Sequence, residues 1–183
     1  MGSPAEKFVI QTGHTADLDP SMLGKARDLL DLVFDGEMTD VDWEHAIGGI
    51  HAVAWHGDLL VGHASVIQRR IVHAGRALRT GYVEGVGVHP AWQRQGIGGQ
   101  IMQALEHVIE TAYDIGALGA TDEAVSLYEH RGWIRWLGPT SAITPNGIVR
   151  TPDEDGCVYV LPCRTTLDIR GDLTCDWRDG DVW

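Results

Sequence analysis

The sequence predicts one α/β domain in which a mixed, mainly antiparallel twisted sheet is flanked by helices, and three observations carry that expectation. Two segments with helical apolar spacing hand over to three short apolar runs that read as strands. The third run breaks at Pro90 into a glycine turn, which opens a long amphipathic helix. At 183 residues, 44% of them hydrophobic, the chain suits a single compact core over 1–183, with no linker, repeat or low-complexity tract.

The elements follow in order. Lys7–Gly13 is expected as a short strand. Ser21–Phe34 carries leucine and valine at helical spacing behind Pro20 and Ser21, which predicts the first helix. Thr39-Asp40-Val41-Asp42 pairs a capping threonine with an acid three residues on, so a second helix starts there and ends at Gly48-Gly49. Ile50–Trp55 and Leu59–Gln68 flank His56-Gly57-Asp58 as a hairpin, and Arg79–His89 completes an antiparallel meander. Gly96–Tyr113 is the long helix, with Ile97, Ile101, Leu105, Val108, Ile109 and Ala112 on one face. Gly116–Ala120 is a small-residue strand expected to pair with the edge opened beyond Val88. Asp122–His130 reads as a helix closed by Arg131-Gly132, and Trp133–Leu137 and Gly156–Arg164 as the last strands. Gly138–Asp155 holds Pro139, Pro145, Asn146-Gly147 and Pro152 and reads as a loop; 165–183 reads as a tail folded back toward the active site.

Charge narrows the function. A net charge of −12 argues against nucleic acid, whose phosphates demand a basic face, and favours a cationic small molecule; solubility alone is the plainer reading of the same number. Distribution separates the two. Arg69, Arg70, Arg76, Arg79 and Arg94 cluster in sequence around the glycine turn, whereas the stretch from Thr151 onward is rich in acids. No apolar run approaches the roughly 20 residues that span a bilayer, and Met1–Glu6 lacks a basic-then-apolar leader, so the expected location is the cytoplasm, away from membranes. Cys157, Cys163 and Cys175 have no CxxC spacing, so neither a disulfide framework nor a zinc site is expected. The nine histidines are scattered and read mostly as ordinary surface or strand residues; no metal is expected.

The segment Tyr82–Gly98 holds the chemistry. It is an apolar strand with one acid, Glu84, followed by Gln93-x-x-Gly96-x-Gly98 and a helix start. Glycines let the backbone wrap a ligand, and the first free N–H groups of the helix point at an anion there. The Walker pattern fails because Gly98 is followed by Gly99 and Gln100. A dinucleotide fold fails because helix, not a second strand with a closing acid, follows. The turn resembles the (Gln/Arg)-x-x-Gly-x-(Gly/Ala) pyrophosphate turn of the GNAT acetyltransferases, and the order of elements resembles theirs too. The resemblance implies acetyl-CoA as co-substrate.

A narrower resemblance rests on Asp42-Trp43-Glu44-His45, Gly81–Val86, Leu127-Tyr128 with Arg131-Gly132-Trp133, Gly138-Pro139-Thr140, Arg150-Thr151-Pro152-Asp153 and the ending Cys175-Asp176-Trp177-Arg178-x-Gly180-Asp181-Val182-Trp183. Together these resemble the bacterial aminoglycoside 2'-N-acetyltransferases over nearly the whole chain. That family implies direct acetylation of an aminoglycoside 2'-amine in a ternary complex, antibiotic resistance, and a homodimer. It implies Glu84 as general base, Tyr128 as the acid toward the departing sulfur, and the Val86 N–H as the contact for the thioester carbonyl. Val86 and Val88 would pair with the pantetheine arm, and Gln93, Arg94, Gln95, Gly96, Ile97, Gly98 and Gly99 would surround the pyrophosphate. Glu37, Asp42, Glu84, Gly85, Glu154, Asp181 and Trp183 would meet the aminoglycoside, with Glu37 and Glu154 standing where the family carries the shorter aspartate. Alternatives at this point are an acetyltransferase of another cationic amine or of a protein N-terminus, and a non-enzymatic binder of cations.

Overall fold

The computed structural model describes residues 8–183; Lys7, where the sequence begins the first strand, and the Met1–Glu6 segment lie outside the described residues. The chain separates into two compact units: one runs up to Val66 and includes Glu84–Leu105, the other comprises Ile67–Val83 and Glu106–Trp183.

In the first unit, β1 (Val9–His14) pairs antiparallel with β2 (Ile50–His56), and β2 with the start of β3 (Leu59–His73) across a turn at Gly57. The helix α1 (Pro20–Val33) starts one residue earlier than the spacing suggests, because Asp19 takes the cap: its Oδ1 accepts the Ser21 N–H at 2.8 Å, and Pro20 fills the first turn, where its missing N–H costs nothing. Ala26, Leu29 and Leu30 of α1 are buried, and the first two pack with Val53 and Leu60. The helix α2 (Asp40–Ala46) has both arms of the expected capping box, Thr39 and Asp42 each bonding the other's backbone. The helix α3 (Ile97–Ala112) meets β3 at Gly62, where a Cβ would lie 2.6 Å from Ile101 Cδ1 and 2.9 Å from Ile97 Cγ2.

The strand order is β6-β9-β5-β4-β3-β10-β7-β8, with β3 entering the second unit at Ile67 and β4 leaving it at Val83. The other strands of that unit are β4 (Arg76–Val88) as far as Val83, β5 (Ile115–Gly119), β6 (Ile134–Arg135), β7 (Thr140–Thr144), β8 (Gly147–Arg150), β9 (Val158–Pro162) and β10 (Leu173–Cys175), with the short helix α4 (Val125–His130) between β5 and β6. The β4–β5 and β7–β10 pairs are parallel. Four sequence expectations change. The strand β3 runs on to His73 and reverses at Ala74-Gly75, both left-handed (φ 49° and 75°), a turn with no motif to announce it. The strand β5 pairs with Thr80–Tyr82 and not with the edge beyond Val88, because the 16 residues of α3 carry the chain back by about 24 Å, roughly the length of β4 from Val88 to Thr80. The supposed loop Gly138–Asp155 holds the hairpin β7–β8, with Pro145-Asn146 as its turn. The supposed tail inserts β10 between β3 and β7.

The core of this unit gathers Ile71, Tyr82, Trp136, Val158, Val160, Leu173, Cys175 and Trp183. On α3, Glu106 is buried while Ala112 is exposed, the reverse of the apolar spacing. Arg131 Nε (2.8 Å) and Trp133 Nε1 (2.9 Å) both donate to Glu106 Oε1, so the buried carboxylate is paired and hydrogen-bonded. That pairing ties the segment after α4 to α3. Because glycine is needed at 62 for space and at 24 for nothing, Gly62→Val should cost about 1–3 kcal/mol by overpacking, whereas Gly24→Ala, on an open face of α1, should add about 0.5–1 kcal/mol. Urea denaturation of both variants measures the pair.

Candidate active site

In the first unit β4 carries Glu84, Gly85, Val86 and Val88, all half-buried. Gly85 adopts φ 56° inside the strand, and a Cβ there would lie 3.0 Å from Leu30 Cδ1 and 3.4 Å from both Ala46 Cβ and His63 Cε1. Conformation and space both demand glycine. The Gly85 carbonyl lies 2.8 Å from His63 Nδ1, and His63 Nε2 lies 2.9 Å from His51 Nδ1. Trp43 of α2 flanks His63, with ring centroids 6.1 Å apart. Beyond Val88, Gln93 Nε2 donates to the Val88 carbonyl at 3.2 Å, so this side chain shapes the turn from within. Arg94 (φ 60°) and Gly96 (φ 82°) turn the backbone, and the Gly96 carbonyl accepts the Gln100 N–H at 3.1 Å as α3 begins. The N–H groups of Ile97, Gly98 and Gly99 therefore precede the helical ladder, at the positive end of a helix whose entry is lined by exposed Arg94 and Gln95. Such donors fit a pyrophosphate. Glu37 is exposed just past α1, behind the left-handed pair Asp35-Gly36; Asp42 is half-buried, and its Oδ2 serves the α2 cap.

In the second unit Tyr128 is buried on α4, beside Trp133 at 6.2 Å between centroids. The C-terminus is locked. Trp183 is buried, and its Nε1 donates to Thr151 Oγ1 at 2.9 Å; Thr151 Oγ1 in turn lies 2.9 Å from Thr140 Oγ1. Arg178 donates to the Asp181 carbonyl (2.7 Å) and to a Trp183 main-chain oxygen (2.8 Å). Arg69 donates to Asp176 Oδ1 (2.7 Å), to the Asp176 carbonyl (3.0 Å) and to the Val182 carbonyl (2.7 Å). The guanidiniums of Arg69 and Arg178 stand 4.7 and 5.5 Å from the Tyr82 ring centroid. Asp181 Oδ1 accepts the Trp183 N–H at 3.0 Å.

Two groups were not singled out by the sequence. Arg69 reads there only as one of the arginines clustered around the glycine turn; in the structure it pairs with Asp176, Arg79 pairs with Asp114, and Arg76 donates to Thr165. Their distant acids in the sequence are the reason, since no spacing rule links positions 69 and 176. The buried His51 and His63 sit within apolar strands at Ile50-His51-Ala52 and Gly62-His63-Ala64, a pattern that could have marked them as inward-facing.

Electrostatics sort the groups further. Burial pushes both His51 and His63 down to about 4, with His14 adding repulsion at His51. Burial pushes the Tyr128 phenol up to about 12. The Glu154 carboxyl is raised by burial first, then by Asp181 and Asp153. The Arg150 guanidinium, with the Thr140 N–H, holds Asp155 down at about 2. Among the described residues no group of three or more His, Cys, Asp or Glu side chains is arranged to hold a metal ion, and no helix is long and apolar enough to cross a membrane. The three cysteines are free thiols.

A family model described as Acetyltransferase (GNAT) domain matches residues 33–152. An aminoglycoside 2'-N-acetyltransferase of Mycolicibacterium fortuitum is 47% identical over 190 aligned positions, which cover 100% of this chain and 97% of that protein. Among solved structures, Escherichia coli ElaA is similar in fold (TM-score 0.61, 23% identity, 85% of this chain and 98% of that one). So is a GNAT family acetyltransferase from Brucella melitensis in complex with acetyl-CoA (TM-score 0.61, 15% identity, 92% of this chain and 96% of that one).

The histidine pair generates a pH dependence. Folding lowers both pKa values below that of a free imidazole, so the unfolded chain binds these protons first: their contribution is complete above about pH 6.5 and is lost as pH falls toward about 4, on the order of a few kcal/mol for the pair. Stability measured by denaturant from pH 7.5 to 4.5 should fall accordingly, and a His51→Phe, His63→Phe double variant should flatten that slope.

Proposed function

The chain belongs to the GNAT acetyltransferase family, and on that premise we propose that it acetylates the 2'-amine of aminoglycosides directly in a ternary complex, and so confers antibiotic resistance. Residues 1–183 would act as one catalytic domain, in a cytoplasmic homodimer. The observation that supports the substrate half is the acid group Glu154, Asp181 and Asp153: Glu154 is pushed up by its burial first and then by the other two carboxylates, and an approaching ammonium would relieve that repulsion. The 47% identity to a full-length relative of that activity supports the choice of aminoglycoside.

Acetyl-CoA, the co-substrate of GNAT acetyltransferases, supplies the acetyl thioester. The N–H groups of Ile97, Gly98 and Gly99 would hold its pyrophosphate, with Gly96 opening the turn, Gln93 bracing it, and Arg94 and Gln95 at its rim. The Val86 and Val88 backbone would hold the pantetheine arm. An alkylammonium has no lone pair, so a base must take its proton; Glu84 is given that role, on the strand that leads into the turn. The Val86 N–H would donate to the carbonyl oxygen as charge gathers on it, and a donor already fixed in a strand needs little rearrangement to do so. Tyr128 would donate its hydroxyl proton toward the sulfur; a phenol held at about 12 stays protonated at working pH. Glu37, Asp42, Gly85, Glu154, Asp181 and Trp183 would contact the aminoglycoside. For Trp183 the ring is already engaged with Thr151 and a main-chain oxygen with Arg178, so its part is to fix the position of the Asp181 carboxylate.

With acetyl-CoA and a panel of aminoglycosides, thiol release and product mass should report one acetyl group on compounds bearing a 2'-amine and none at that position on 2'-hydroxyl analogues; absence of turnover on every 2'-amino compound refutes the reading. Glu84→Gln should lower kcat by about 100- to 10,000-fold, the usual contribution of a positioned base. Removal of Trp183 should raise the aminoglycoside KM and leave the calorimetric affinity for acetyl-CoA unchanged, because the Asp181 carboxylate it anchors would meet the cation and not the cofactor.

A further inference from the structure

We infer that Thr15, His51 and His63 are positioning residues: they form a one-way hydrogen-bond chain that fixes the Gly85 carbonyl and, through it, the backbone between Glu84 and Val86. The catalytic consequence rests on the roles proposed above for those two neighbours.

The direction of the chain follows from what each atom is able to do. A backbone carbonyl only accepts, so His63 must carry its hydrogen on Nδ1 to meet Gly85 O at 2.8 Å. A neutral ring then leaves Nε2 bare, so the hydrogen in the 2.9 Å contact belongs to His51 Nδ1. His51 Nε2 is bare in its turn, and the Thr15 hydroxyl donates to it at 2.8 Å. The Thr15 oxygen accepts the Gly48 N–H at 2.8 Å, which starts the series. Its longer approach to the Gly49 carbonyl, 3.3 Å, competes for the same hydroxyl proton and loses to the shorter contact. Reversing any one link would set two donors or two acceptors against each other.

Packing alone does not account for this arrangement. The rings are 1% and 0% exposed, and apolar side chains would fill the same strand positions without the cost of burying polar nitrogens. The chain ends on the carbonyl of a residue whose left-handed φ of 56° turns its peptide away from ordinary strand geometry, where a donor from another strand is required. Ser65 Oγ adds a weaker contact, 3.5 Å, to the preceding carbonyl of Glu84. Two successive peptides, one on each side of the Gly85 Cα, are thus held from β3.

Long-range 15N–1H spectra of the wild-type imidazoles test the chain without any substrate. At pH 7 both His51 and His63 should be neutral with the hydrogen on Nδ1; an Nε2-protonated His63 overturns the proposal. The isosteric Thr15→Val should mix the His51 tautomers, shift the Gly85 and Val86 amide resonances and lower kcat by about 10-fold with little change in either KM, while Thr15→Ser restores all three. His63→Phe, if it folds, should lower kcat by about 10- to 100-fold. A folded Thr15→Val with wild-type tautomers and kcat overturns the proposal as well. If the wild-type protein turns over no aminoglycoside, the reading of function fails, and the tautomers and amide shifts still decide the relay by themselves.

Discussion

One left-handed residue inside β4 sets the terms for the first unit. Gly85 turns the strand at φ 56°, and three elements have closed on the space where a side chain would be: Leu30 of α1, Ala46 of α2 and His63 of β3. The next inward glycine, Gly87, is filled the same way, since a Cβ there would lie 2.9 Å from Leu30 Cδ2. Both helices can therefore pack directly against backbone, and the peptide groups on either side of Gly85 are held by His63 and Ser65 of β3. Glycine takes this conformation without strain, and the packing of Leu30 and the histidine hydrogen bond both depend on it, so the kink and its supports stand or fall together.

The second unit is organised around arginines whose charge is consumed internally. A buried guanidinium is costly unless paired, and Arg69 meets that cost with a carboxylate, two carbonyls and the face of Tyr82. Arg178 repeats the device on the other residues of the terminus. Trp183 then docks on Thr151, which is bonded to Thr140, while Asp155 caps Thr140 and pairs with Arg150. The C-terminal residues are consequently part of a core, and the acids among them are held at defined positions.

Charge, taken as a whole, behaves differently from its distribution along the chain. The net −12 is real, yet several of the acids after Thr151 are neutralised locally: Asp176 by Arg69 and Asp155 by Arg150. Glu154 is raised by its own burial and then by the nearby charges of Asp181 and Asp153, so repulsion among acids persists at that point. The basic cluster thins out in the same way, because Arg69 and Arg79 face carboxylates. Of the five arginines, Arg94 is the one that stands in the glycine turn itself.

What the sequence determined by itself was everything governed by short-range rules. The capping box at Thr39 and Asp42, the hairpin at Gly57, the apolar face of α3 and the turn at Gly96 each depend on residues within a few positions of one another, so their chemistry is written locally. The motifs Gly138-Pro139-Thr140, Arg150–Asp153 and Asp181-Val182-Trp183 were also legible as motifs, but not as one assembly. Only the tertiary structure decided that Thr140, Thr151 and Trp183 meet, that 138–155 is a hairpin despite its prolines, and that β10 lies between β3 and β7. It alone decided that Glu106 is buried on a helix whose spacing calls for an apolar residue, and that His51 and His63 face each other across two strands. Those outcomes require a partner tens of residues away to offset the cost of burying a charge or a polar ring, and such a partner exists only once the sheet has formed.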